Sequence, residues 1–359
     1  MAGLIDRRTV LTGAAATGAA AALGIGRARA AAPMKIGFVY VGPVGDLGWS
    51  YQHDVARKTL QAKFGDRIAT HYVENVSEGP DAERVIRELA TGDGMVFATS
   101  FGFMNPCERV ARQFPNVKFE QATGYKTRAN MAEYNARFYE GRAVCGTIAG
   151  ILSKAGVAGY VASFPIPEVV MGINAFTLAA RKINPNFKTK VIWANTWFDP
   201  GRESDAAKSL IDQGADILAQ HTDSPAVIQT AEARGVLGFG QSSDMRRFGP
   251  KAQLTSIVDD WAPYYIQRTQ QALDGTWKTD NVWWGIKEGM VVLAPYGPAM
   301  TDHARAAADE VKAGIVSGKL HPFTGPIKDQ KGTLKVPAGT VMADADLLKI
   351  DWYVEGVQA

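Results

Sequence analysis

The stretch GPVGDLGWSYQHD, residues 42–54, sets an acid, Asp46, and a large aromatic, Trp49, in a turn that also carries Gly42, Gly45 and Gly48. A carboxylate accepts hydrogen bonds from N–H groups, and an indole offers a flat apolar face on which another ring can stack. Glycines let the backbone turn where a side chain would be in the way. A second stretch, residues 195–200, places Trp197 and Phe198 side by side before Asp199-Pro200. Phe101, Asp223, Ser242 and Asp244 fall in comparable short stretches after apolar runs. Such residues are suited to non-covalent capture of a flat small molecule.

Machinery for covalent chemistry is missing from the sequence. No GxGxxG opens a helix after a strand, no GxxxxGK[ST] loop is present, and no GxSxG elbow occurs. The spacing Gly42-x-x-Gly45-x-x-Gly48 does not match a dinucleotide fingerprint. Five histidines, His53, His71, His221, His303 and His321, are scattered with no HxH or HxxxH pair. No metal, cofactor or catalytic residue is expected. His53, early in a helix, reads as a surface or cleft-edge residue, and His221 at a strand end is the one histidine placed to face a ligand.

The elements that must position these side chains alternate regularly. Apolar runs at 35–41, 69–73, 94–98 and 117–122 read as strands, with helical stretches at 51–64, 79–91 and 105–114 between them. A helix at 139–155 leads to a second series: strands at 159–163, 190–194, 217–220 and 236–240, and helices at 168–183, 201–213 and 226–234. Single helices between strands imply parallel βαβ units. Two such series predict an α/β chain of two lobes, each a mostly parallel sheet flanked by helices, with a ligand cleft between them. The first lobe is expected at 33–157 plus 251–280, the second at 158–250 plus 281–359. Loops at the carboxyl ends of the strands should line the cleft: 42–49, 99–105, 123–127, 164–169, 195–200, 221–224 and 241–244. Arg and Lys are nearly absent from them, which counts against a strongly anionic ligand.

The first 32 residues read as an export leader. Arg7-Arg8 precede a weakly apolar Ala- and Gly-rich segment too short to span a membrane, and Ala28-Arg29-Ala30 has the form of a cleavage site. The paired arginines resemble a Tat signal, with cleavage expected near Ala30–Ala32 and no cysteine there for a lipid anchor. The expectation is a periplasmic protein that does not span the membrane. Of the 39 basic and 36 acidic residues, four and one lie in this leader, so the remaining chain is formally neutral. No basic stripe points to nucleic acid. Two cysteines, Cys107 and Cys145, allow a disulfide in an oxidising compartment, yet both fall in helical patterns where Cys often serves as a small buried hydrophobe.

Three segments carry a family likeness: residues 35–54, residues 137–154 (RFYEGRAVCGTIAGILSK) and residues 194–201 (ANTWFDPG). Together with residues 284–296 they resemble the basic membrane protein family, substrate-binding proteins of ABC importers with the two-lobed type I periplasmic-binding-protein fold. The resemblance implies a purine held between two aromatic rings, one from each lobe. These rings fall on Trp49 and Trp197, and Asp46 matches the family acid that bonds the base. Tyr51 belongs to the same motif, and Phe198 and Phe101 can fill space. Where the family tends to read D-S-D-Q this chain has Ser242-Ser243-Asp244-Met245, and where a lysine often follows the next strand it has Asp259. Those family positions serve the sugar, so a free purine base, adenine-like, is expected rather than a nucleoside. The implied partner is an inner-membrane ABC permease. A nucleoside-binding protein of the same class, a periplasmic ligand sensor for a membrane receptor and an exported nucleoside hydrolase are the alternatives.

Overall fold

The computed structural model describes residues 32–359; all but the last residue of the expected leader lies outside them. The chain alternates strand and helix as far as its middle: β1 (Met34–Val39), α1 (Trp49–Phe64), β2 (Ile68–Val73), α2 (Pro80–Gly92), β3 (Met95–Ala98), α3 (Met104–Ala111) and β4 (Lys118–Ala122). Then come β5 (Met131–Ala136), α4 (Phe138–Leu152), β6 (Val157–Ala162), α5 (Pro167–Ile183), β7 (Lys188–Trp193) and α6 (Pro200–Asp212). These are followed by β8 (Ile217–His221), α7 (Ala226–Arg234), β9 (Leu237–Gly240), β10 (Gln253–Asp259), α8 (Ala262–Leu273), β11 (Asn281–Trp284) and β12 (Val291–Leu293). The tail adds α9 (Asp302–Val316), the small hairpin β13 (Ile327–Lys328) and β14 (Leu334–Val336), α10 (Asp344–Leu347) and β15 (Val357–Gln358).

Two sheets result, with orders β11-β5-β4-β3-β1-β2 and β12-β10-β9-β8-β6-β7-β15. Every pairing in the first is parallel, and in the second only β12 runs antiparallel, against β10. The two-lobed α/β architecture is therefore as the alternation implies. The expected lobe boundaries are not. Residues 253–259 join the second sheet rather than the first, and residues 281–284 join the first rather than the second. The chain changes lobe around Arg137, Asp260 and Gly285, not near residues 157, 250 and 280. Hydrogen bonds tie these crossings together: the Arg137 N–H donates to Trp284 O at 2.7 Å, the Asp260 N–H to Met290 O at 3.0 Å, and the Ile286 N–H to Glu140 Oε2 at 2.8 Å.

Local reasons for the elements are plain. α2 buries Ala82, Val85, Ile86, Leu89 and Ala90, a stripe at helical spacing, and turns its charges outward. α4 lacks such a stripe because it is buried on nearly every side, between α5 and α9. α8 is bound to the first lobe through a buried acid: Glu120 of β4 accepts from Arg268 Nε at 2.6 Å, Trp277 Nε1 at 2.6 Å and Tyr264 OH at 2.7 Å. Cys107 and Cys145 are both buried free thiols, in α3 and α4. No helix among the described residues is long and apolar enough to cross a membrane.

Candidate functional site

A cavity with about 390 Å³ of empty space, mouth included, lies between the carboxyl ends of the two sheets. Its walls are Val41, Trp49, Ser100, Phe101 and Thr123 from the first lobe, and Glu168, Trp197, His221, Asp223, Gln241 and Ser242 from the second. The position follows from parallel-sheet topology, which directs successive strand ends, and the loops after them, to one edge. Two wall residues other than glycine hold left-handed backbone, Thr123 (φ 66°) after β4 and Ser242 (φ 58°) after β9; Asn195 (φ 52°) follows β7 beside Trp197. A β-branched residue such as Thr123 rarely adopts this conformation, and such strain gathers at binding sites.

Trp49 opens α1 and is fixed on three sides. Its Nε1 donates to Thr99 O at 2.6 Å, and its ring meets His53 at 4.5 Å and Trp261 at 5.2 Å, both edge to face. His53, expected near the surface, is instead fully buried, stacked on Trp261 at 4.6 Å and bonded through Nδ1 to Tyr265 OH at 2.5 Å. Burial holds its imidazole well below its ordinary pKa, so it is neutral. The helix pattern that placed His53 early in α1 gave no sign that this face packs on α8. Trp197 packs edge to face on Phe164 at 5.2 Å, and its buried Nε1 has no partner among the described residues.

Of the side chains expected to bind, Trp49, Trp197, Phe101, Asp223 and Ser242 come together on the cavity wall, while Asp46, Asp244, Tyr51, Phe198 and Asp259 do not. Asp46 is exposed and pairs across the lobes with Arg247, whose guanidinium also donates to Asp46 O at 3.3 Å. Asp244 is held by Arg246 and by Gln253 Nε2 at 2.8 Å. Phe198 is 40% exposed, and Tyr51 is partly buried along α1. Asp259 is fully buried one layer behind the wall: its N–H donates to Ser242 O at 3.0 Å and neither carboxylate oxygen has a partner among the described residues.

Two acids, Glu168 and Asp223, stand among the polar side chains of the wall. Burial pushes the Asp223 carboxyl up to about 8, with Glu203 and Glu168 adding like charge and the Trp49 backbone N–H drawing it down. Asp259 is driven well above the usual carboxylate range, chiefly by burial. Glu168, in the first turn of α5, brings Oε1 to 3.5 Å from His221 Nε2 and leaves Oε2 buried and unpartnered. His221 is lowered by burial, against the pull of Glu168. Arg142, fully buried, donates to Gln241 Oε1 and lies over the Tyr160 ring at 5.4 Å. Glu168, Gln241 and Arg142 were missed as site residues. Glu168 sits in an anticipated cleft loop, but Arg142 is on a helix whose sequence looks like ordinary core. Among the described residues no group of three or more His, Cys, Asp or Glu is placed to hold a metal.

The lobes touch beside the cavity. The Gly48 N–H donates to Ser243 Oγ at 2.9 Å, and Gln52 Nε2 donates to the same oxygen at 3.0 Å. Gly48 has φ 88°, and a Cβ there would lie 2.7 Å from Asp223 O, so both the turn and the close approach require glycine.

Comparison with known proteins follows this geometry. Residues 34–321 match the family model of PnrA-like ABC transporter substrate-binding proteins, Bmp. The chain is 56% identical over 333 residues to a purine-binding protein of Brucella abortus, covering 92% of this chain and 95% of that one. It is 39% identical over 289 residues, 80% of this chain and 73% of the other, to a Haloferax volcanii protein that carries the name of an ABC transporter glucose-binding protein. Among solved structures, an ABC transporter solute-binding protein of Aeropyrum pernix superposes with a TM-score of 0.69 at 18% identity, covering 83% of this chain and 93% of that one. One from Conexibacter woesei gives 0.65 at 22% identity, covering 80% and 98%. The chain belongs to the Bmp family, the PnrA-like ABC transporter substrate-binding proteins.

Proposed function

We propose that this protein captures a free purine base, adenine-like, between Trp49 and Trp197 and delivers it to an ABC permease of the inner membrane. The observation that carries the reading is the cavity itself: a small space with one indole from each lobe on its wall and short polar side chains around them. A flat ring between two indoles gains burial of both faces plus roughly 0.5–1.5 kcal/mol for each well-stacked pair. The relative named for purine binding, 56% identical over nearly its whole length, supports the same ligand class. The directional contacts come from Asp223 and Ser242 rather than from Asp46, which is occupied by Arg247 at the rim. Closure of the lobes on the ligand shifts the population toward the form the permease accepts. The leader and the neutral charge of the remaining chain fit capture in the periplasm.

A nucleoside is the second reading, because a further space of about 350 Å³, mouth included, adjoins the cavity at Phe101, Thr123 and Glu168. Its other walls, Tyr125, Ile166, Pro167, Met171 and Leu348 with Asn135, are largely apolar. Ribose hydroxyls buried there would lack partners, which favours the base. The test is to denature the purified protein and identify the released small molecule by mass spectrometry. A purine base is expected; a sugar or an amino acid as the released molecule would sink the reading.

A further inference from the structure

Two carboxylates, Glu168 and Asp223, stand on one wall of the cavity with no cation beside them on it. Glu168 reaches it from the first turn of α5, and Asp223 from the loop after β8. One Glu168 oxygen faces His221 Nε2 at 3.5 Å, and the other is buried without a partner among the described residues. Arg142 is turned toward Gln241 and the Tyr160 ring and is absent from the wall, with its Nε and Nη1 buried and without partners among the described residues. Glu203 beside Asp223 is a third acid, and Asp259 behind Ser242 is a fourth. Glu168 Oε2 on the wall and both Asp259 oxygens behind it are therefore acceptors without partners among the described residues.

The donors on the wall are different in kind. Trp197 Nε1 is buried with no partner among the described residues, and the Ser242 hydroxyl, which accepts from the Gln241 amide at 3.2 Å, is a neutral polar group on the same wall. A ligand complementary to this wall presents N–H donors to the acids and ring nitrogens to the neutral donors. A carbonyl turned toward Glu168 would set acceptor against acceptor and leave its buried oxygen unmatched.

We infer that Glu168 and Asp223 act together as the acceptor pair for an exocyclic amine, so that the site selects amino-substituted purines over oxo-purines of the same size. The inference rests on the base-capture reading and adds the substituent class to it. A buried site built to bond an N–H rejects the analogue lacking it far more strongly than a site that discriminates by size.

The probe that isolates the amine is 6-methylpurine, which keeps the shape of adenine and has no exocyclic N–H. Protein stripped of ligand by unfolding and refolding is titrated calorimetrically with adenine, 6-methylpurine and hypoxanthine. Adenine is expected to bind at least about tenfold tighter than either of the others, the range for one hydrogen bond to a charged acceptor. Glu168→Gln and Asp223→Asn should each narrow that ratio several-fold while 6-methylpurine binding persists. A wild-type ratio near one overturns the inference, as does a ratio unchanged in both variants. The wild-type ratio decides by itself if either variant does not fold. Equal binding of all three purines removes only the acid-pair inference, whereas no binding by any of them removes the base-capture reading with it.

Discussion

The Gly48 N–H donates to Ser243 Oγ at 2.9 Å, joining the start of α1 in one lobe to the loop after β9 in the other. Gln52 Nε2 uses the same oxygen at 3.0 Å, so one hydroxyl holds two groups from across the cleft beside the ligand cavity. The indole of Trp49 is carried on the residue next to Gly48, so closing the lobes and placing the first stacking ring are one event.

Ser243→Ala should therefore weaken ligand binding without unfolding the protein. The Gly48 N–H, buried against the second lobe, loses its partner in the closed form, at about 1–3 kcal/mol. Calorimetry should show a loss of about tenfold or more, with the melting temperature of the ligand-free protein little changed. Gly48→Ala should do more, since its Cβ would meet Asp223 O.

Trp197→Ala and Trp49→Ala should differ in what else they damage. Both remove a stacking face. Trp49 is also wedged on His53 and Trp261 and bonded to Thr99, whereas Trp197 packs chiefly on Phe164. Trp197→Ala is expected to cut affinity at least tenfold with a small change in melting temperature. Trp49→Ala should cut affinity as much and cost up to about 3–5 kcal/mol of stability, as large-to-small changes of aromatic residues do.

Asp46→Asn is expected to change affinity by no more than about 1 kcal/mol, because an exposed ion pair contributes little. A collapse of binding in this variant would restore Asp46 to the place the family pattern suggested. That pattern marked the loop correctly but not the direction of its side chains. Likewise, Glu168 lies within an expected cleft loop, yet nothing in a helix-opening Pro167-Glu168 tells which way the carboxylate turns. The strand order beyond Pro250 was illegible for another reason: pairing partners far away in sequence decide which sheet β10 and β11 each join. By contrast the first seven alternating strands and helices announce themselves by periodicity, with glycines marking both ends of α1 and the start of α2.

Arg268→Ala should destabilise the first lobe by about 3–5 kcal/mol, since it strands the fully buried Glu120 without its cation. Chemical denaturation checks this. Arg268→Ala paired with Glu120→Leu should recover part of the loss, because the unpaired buried charge is then gone.

The pH dependence of stability should carry the mark of Asp223. Its folded-state carboxyl is raised to about 8 from an ordinary 3.8. The unfolded chain therefore ionises first, and the contribution to stability is complete below the ordinary value and lost progressively as pH rises toward 8. Ligand-free Asp223→Asn should show a flatter melting profile between pH 5 and pH 8 than the wild type. Identical slopes would mean that Asp223 is already ionised in the empty cleft.

The most direct test of base capture is a calorimetric titration of refolded, ligand-free protein with adenine and with adenosine under one set of conditions. The two-indole cavity, with its apolar neighbouring space, predicts that adenine binds more tightly than adenosine. Adenosine binding as tightly as adenine, or more tightly, would contradict it.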